Sequence, residues 1–299
     1  MGWASPDPVA TAAEFYYCKQ SYRQALQLWR KVLVREPTNL GAALRVAELT
    51  LLFEGRGPEK DFLLKFYSTT QAQLGVVARE TLENRFGALQ GMFLTDEGQS
   101  DYLQALSHAR YNDCSGAAAF LAQAAQLEPG NIKVLREKAA CERKLGSYNT
   151  LYETLDLAVD TYPFDSRVVD NFVETDSYFG QYAKVLGFLQ KYPEMRSSMR
   201  ASTAYAVALA ETGDVSAVRS LQAFIAQEKS AGVHPVVLFE LGKLLASRPD
   251  SAGEATLYLE RFGLAAAHPE NTTIESWDPY RCAEKKDEAA RLLATLKHS

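Results

Sequence analysis

Tyr16-Tyr17-Cys18-Lys19-Gln20-Ser21-Tyr22-Arg23-Gln24-Ala25-Leu26-Gln27-Leu28-Trp29, closing with Arg35-Glu36-Pro37, is the stretch on which the reading of this chain turns. Ala25, Leu28, Trp29 and Val32 fall three and four residues apart, which marks one face of a helix. Pro37 ends that helix, because a proline lacks the N–H that continues it and pushes the preceding residue out of helical geometry. An apolar stretch on the other side of Gln20-Ser21, including Ala13 and Tyr16, supplies a partner helix. The unit is two helices joined by a tight turn.

The same unit recurs. Gly146 and Tyr148 return as Gly180 and Tyr182, a shift of 34, and Gly213 and Val215 follow 33 later. Stepping backward by 34, Asn112 and Cys114 fill the same slots, and Pro129 precedes Pro163 by 34. A period in this range signals stacked supersecondary units. Glycine at the turn tolerates the left-handed conformation that stops one helix and starts the next. Small residues such as Ala117-Ala118-Ala119 let two helix axes approach closely. No long alternating run suggests a sheet, so the expected class is all-α.

These positions resemble the tetratricopeptide repeat family. Ala13, Tyr16, Tyr22, Ala25, Trp29 and Pro37 fit its pattern in the first unit. Ala105, Ala117, Leu121, Ala124 and Pro129 fit it in a later one, and Ala139, Gly146, Tyr148, Leu155, Ala158 and Pro163 in the next. The fifth and sixth units are looser, and the last, from Leu238 to Pro269, fits only with an insertion near Arg248-Pro249-Asp250. The resemblance implies a right-handed α-solenoid of about seven helix pairs.

Residues 38–97 break the period. A helix is expected over Asn39–Glu54, a loop at Gly55-Arg56-Gly57-Pro58, a helix over Glu59–Thr70, and a longer unpaired helix over about Leu74–Leu94. Asp278–Lys297 reads as an amphipathic cap, docking Ala283, Ala289, Leu292, Leu293 and Leu296. A terminal repeat needs such a cover. Trp277 and Tyr280 are expected to staple it down. The organisation is thus one array over 1–299: a first repeat at 6–37, divergent repeats at 38–97, further repeats at 98–269 and a capping helix at 278–297.

Composition narrows the function. With 47% hydrophobic residues among 299, the chain can bury a substantial core, while a net charge of −5 argues against general nucleic-acid binding. No apolar run reaches membrane-spanning length, so membrane insertion is not expected. The first eight residues lack the basic and apolar regions of a signal peptide. The cytoplasm is the expected compartment, the periplasm the alternative if a leader has been removed. Cys18, Cys114, Cys141 and Cys282 are scattered and read as free thiols, with a Cys114–Cys141 disulfide conceivable. His108, His234, His268 and His298 lack any metal-ligand pattern, and no phosphate loop, HExxH or GxSxG occurs. Asn271-Thr272-Thr273 matches a glycosylation acceptor, a triplet common by chance. No catalysis, metal or cofactor is expected.

The family's groove is lined by the first helix of each pair, so the resemblance implies a set of binding positions. They are Glu14 and Tyr17 in the first unit and Tyr102, Leu106 and Arg110 in the third. The fourth supplies Lys133, Arg136, Arg143 and Lys144, and the fifth Arg167, Asp170, Asn171, Glu174 and Tyr178. Arg200, Phe239 and Lys243 complete the set. Lys133, Arg136, Ala140, Arg143 and Lys144 share one side of a helix, with Arg167 and Arg200 at matching places in the next two units. A basic strip on an acidic protein attracts an acidic peptide, arginine gripping carboxylates bidentately. Arg143 and Lys144 also sit where the helix dipole favours cations whatever the function. The Lys/Asn clamp that binds chaperone C-termini in this family is missing, since the first unit offers Ala10 and Glu14. The expectation is a non-catalytic scaffold or adaptor for a protein or peptide. An envelope assembly factor, a regulatory subunit and self-association through terminal repeats are the alternatives.

Overall fold

The computed structural model describes residues 7–227, 233–267 and 278–297. Its helices fall into two compact units, one ending at Asp165 and one beginning at Ser166.

The first unit holds four helix pairs and one unpaired helix. The pairs are α1 (Pro8–Cys18) with α2 (Tyr22–Arg35), α3 (Leu40–Glu54) with α4 (Arg56–Thr70), α6 (Asp96–Arg110) with α7 (Cys114–Leu127), and α8 (Ile132–Lys144) with α9 (Tyr148–Thr161). Between the second and third pairs stands α5 (Val76–Gln90). The second unit holds α10 (Ser166–Tyr178) with α11 (Tyr182–Lys191), α12 (Met199–Glu211) with α13 (Ala217–Gln227), α14 (Pro235–Ala246) with α15 (Ala252–Ala267), and the final α16 (Cys282–Leu296). Seven pairs plus α5 and α16 are therefore present among the described residues.

The register read from the sequence is the register of the packing. Gln20, Asn112, Gly146, Gly180 and Gly213 all take the left-handed conformation, φ from 60° to 71°, at the turn inside their pairs. Ala105, Ala139 and Val173, spaced by 34, are buried, as are Ala117, Leu151 and Val185, and Leu121, Leu155 and Leu189. Small residues on the first helices admit the larger ones facing them, giving close packing without voids. Pro37, Pro129 and Pro163 each stand two residues beyond a helix end. Side-chain caps begin many of the first helices: Asn39 accepts from the Ala42 N–H at 2.9 Å and Asn131 from that of Lys133 at 3.0 Å.

The divergent stretch differs from the expectation in two ways. Arg56-Gly57-Pro58 is not a loop but the first turn of α4, where a proline is tolerated because its missing N–H would have no partner anyway. The unpaired helix is shorter than 74–94, ending at Gln90 before Gly91. The break in period has a physical anchor. The buried Arg56 guanidinium donates to the carbonyls of Leu89 (3.2 Å), Gln90 (2.6 Å) and Met92 (2.8 Å) and to Glu128 (3.0 Å). Glu128 in turn accepts from the Leu94 and Thr95 N–H groups, both at 2.7 Å. One ion pair thus fastens α4, the α5–α6 connection and the end of α7. Nearby, Tyr67, Phe86, Tyr162 and Phe164 form an aromatic cluster, and the Tyr162 hydroxyl donates to the Glu83 carbonyl at 2.8 Å.

In the second unit, one core runs through α12, α13, α14, α15 and α16 and includes Phe239, Phe262 and Tyr280. The insertion near residue 249 is a 3-10 turn over Pro249–Ser251. Tyr280 is buried, as expected of a staple. Trp277, His268, His298 and the Asn271-Thr272-Thr273 triplet lie outside the described residues.

Candidate binding faces

In the first unit the first helices of the pairs present three distinct environments. Tyr17 is half-buried in a network joining α1 to α3: its hydroxyl donates to Glu48 at 2.8 Å, and the Arg45 guanidinium lies 4.0 Å above its ring. Arg45 also pairs with Glu14 and Glu48, each at 3.2 Å. Arg45 and Glu48 were missed as candidates, yet Glu48 stands 34 residues after Glu14, so carrying the register into α3 would have found it.

Tyr102 does not face a groove. It is buried against Phe93, Ala124 and Val134, its ring 5.1 Å from that of Phe93, because the small residues of α7 leave room that an aromatic fills.

The basic face of α8 is solvent-facing but unevenly charged. Lys133 is exposed, its stem lying along Gly91 and its ammonium 5.9 Å from the Phe93 ring. Arg136 is drawn toward Asp165 at 3.5 Å and Glu137 at 3.8 Å, which offsets its charge. Arg143 is half-buried in the last turn. Lys144 is exposed and donates to the Asn112 side chain at 2.8 Å, tying the α8–α9 turn to the α6–α7 turn. Arg110-Tyr111 and Lys144-Leu145 end the helices on either side of that tie. Arg110 and Lys144 are exposed, and Tyr111 (85% exposed) and Leu145 (44%) are apolar side chains left in water beside them.

Cys114 and Cys141 meet in the core below this edge as free thiols, and burial, reinforced by the hydrogen bond with Cys114, pushes the Cys141 thiol up to about 12.

In the second unit the chain's own last helix covers part of the corresponding face, at α14 and the end of α12. Arg167 is exposed and Asn171 half-buried on α10, and Arg200 lies 3.4 Å from Glu174. Lys243 is not an open cation: it is within 3.9 Å of Glu211 and 3.7 Å of Glu288 on α16. Lys285, also on α16, sits 2.8 Å from Glu240 and 3.3 Å from Glu211, with its ammonium 4.8 Å above the Phe239 ring. Burial alone would lower the Lys285 pKa, but Glu240 and Glu211 more than reverse that and raise it. Burial raises Glu240 to about 7 even against the pull of Lys285, and Glu211 is held below its ordinary value by Lys285 and Lys243 despite its own burial. Tyr280 packs edge-on against His234 at 5.0 Å. Its phenol is raised well above the usual range by burial and then by Glu174. A 540 Å³ cavity beside the start of α16 is lined by Ser177, Tyr178, Tyr182, Glu211, Arg281 and Glu284, among others.

Among the described residues no helix is long and apolar enough to cross a membrane. No family model matches the chain. No curated protein matches it. Solved structures do. The tetratricopeptide domain of P58(IPK) matches at 14% identity over 96% of this chain and 98% of that one, with a TM-score of 0.32. Yeast Tom70 matches at 14% identity over 98% of this chain and 61% of its own, with a TM-score of 0.39. The human IFIT1 dimer with m7Gppp-AAAA matches at 14% identity over 91% of this chain and 68% of its own, with a TM-score of 0.39. By the register of its turns, the burial of its repeated positions and the pairing of its helices, the chain is an all-α protein of tetratricopeptide-like repeats.

Proposed function

We propose that this protein is a non-catalytic scaffold that holds an acidic segment of a partner protein against the edge formed by α6 and α8. The observation that carries this reading is the pairing of exposed cations with exposed apolar side chains at two successive turns. Arg110-Tyr111 and Lys144-Leu145 stand at the ends of α6 and α8, whose turns the Lys144–Asn112 hydrogen bond ties together, with Lys133 further along α8. A cation next to an aromatic or aliphatic side chain suits a peptide that alternates carboxylates with apolar residues. The surrounding net charge of −5 makes the edge a local exception rather than part of a general polyanion-binding surface.

The test is affinity capture from the native host, with the wild type beside a Lys133→Glu/Arg136→Glu/Arg143→Glu/Lys144→Glu variant whose circular dichroism and melting match it. Partners held by the wild type and lost by the variant support the reading. The same partners on both baits would refute it.

A further inference from the structure

We propose that the first-helix face of the second unit is a recognition site for an amphipathic helix of a partner protein that carries an aromatic residue and, five positions later, a lysine, and that α16 holds this site in cis.

The chain's own α16 shows what the face accepts. Tyr280, at the entry to α16, is 3% exposed and seated against His234, while Lys285 five residues on reaches Glu240, Glu211 and the Phe239 ring at once. Two carboxylates and an aromatic face form a lysine slot. Glu240 comes from the first helix of the last pair and Glu211 from that of the preceding pair, so the slot spans two repeats and reads position along the array. Its charge is opposite to that of the α8 edge in the first unit, so the proposal stands independently of the function assigned there.

Three features distinguish α16 from a simple seal. A cap that only covered apolar surface would use apolar side chains, because a buried ion pair contributes little over well-packed hydrophobic groups. Here α16 instead brings the partly buried Lys285 onto the buried Glu240. Tyr280 brings a hydroxyl that has no hydrogen-bond partner among the described residues. Arg281 enters the helix in the left-handed conformation at φ 53°, a strained geometry for a residue with a Cβ. The fit is also incomplete: the 540 Å³ cavity remains beside the first turn of α16, and the buried Ser177 hydroxyl on its wall is without a partner among the described residues. A partner helix with a larger or more polar residue near the Arg281 position would fill that space and satisfy those groups, while reusing the lysine slot. α16 belongs to the same chain and so competes for the face intramolecularly, at a fixed effective concentration. A partner must exceed that.

The probe is a fluorescein-labelled synthetic peptide of residues 278–297, titrated by anisotropy into the full chain. The wild type is expected to bind it weakly. A Tyr280→Ala/Lys285→Gln chain, whose own helix is loosened while the face is intact, should bind about tenfold more tightly. Adding Glu211→Gln/Glu240→Gln to that chain should reverse the gain, and a Lys285→Gln peptide should not bind. Equal binding to wild type and loosened chain, or binding indifferent to Glu211 and Glu240, overturns the proposal. Hydrogen exchange on the wild type supplies a readout free of folding effects: α16 amides should exchange at least about tenfold faster than those of α14. Equal protection of the two helices overturns it. A concentration-dependent dimer in light scattering that Glu211→Gln/Glu240→Gln abolishes would assign the site to a second copy of this chain and overturn the partner claim.

Discussion

At the scale of single residues, a few buried side chains carry consequences out of proportion to their number. Trp29 is buried in the first repeat's core with Ala13, Ala25 and Val46, at the place the repeat pattern assigns to a large residue. Trp29→Ala should cost about 3–5 kcal/mol in chemical denaturation, and an unchanged midpoint would show that this core does not depend on it. Arg56 is a different case, since Arg56→Ala removes one partner of a buried pair and leaves the buried Glu128 carboxyl without it. The expected loss is again about 3–5 kcal/mol, whereas the exposed Arg30–Glu54 pair should contribute no more than about 1 kcal/mol. Glu59, buried beside Arg56 and Gln90, is raised to about 8 from its ordinary 4.5 by burial, which outweighs the opposing pull of Arg56 and the Gln90 hydrogen bond. The folded chain therefore keeps a proton that the unfolded chain releases. Glu59's contribution is fully present below pH 4.5 and is lost as pH rises through about 8. Denaturation midpoints measured from pH 5 to 8 should fall more steeply for the wild type than for Glu59→Gln. Identical slopes would place Glu59's titration elsewhere.

At the scale of elements, the irregular α5 is the feature that local sequence described least well. Its helical character was legible from residues 74–94, and its ends were off by a turn because Gly91 rather than Leu94 stops it. What it packs on was not legible. Gly87 lies against the ring of Tyr162, 75 residues later, so closely that a Cβ there would stand 2.8 Å from Cζ. Tyr162 is held by the Glu83 carbonyl and by Phe86 and Phe164, so its ring has little freedom to give way. Gly87→Ala should destabilise by about 1–3 kcal/mol in thermal or urea unfolding, although alanine is the better helix former. A stabilised variant would show that α5 does not rest on the end of α9. The same limit applies to the candidate binding residues. Repeat register located Arg110, Lys133 and Lys144 on exposed helix surface, but it could not tell that Tyr102 turns inward to Phe93 or that Arg136 is drawn to Asp165. Those outcomes depend on which neighbour lies within a few ångströms, and a periodic pattern does not encode that.

At the scale of the whole molecule, the chain is acidic, with a local basic edge in the first unit and a carboxylate-lined face under its own last helix in the second. Capture at the α6–α8 edge should weaken when salt is raised from about 0.1 to 0.5 M, because exposed charges are screened over a shorter range. Capture unaffected by salt would move the contact to an apolar surface. The residues alone determined the all-α class, the 34-residue register, the turn glycines and the buried small and large positions. Each is a local property: helix periodicity, the conformational freedom of glycine, the missing N–H of proline. The tertiary structure decided the Arg56–Glu128 anchor, the seat of α5 on Tyr162 and the covering of Glu211 and Glu240 by α16. These contacts join residues between 45 and 75 positions apart. They form only after the local helices exist, and what selects them is which buried charge or cavity is left to satisfy once those helices have packed.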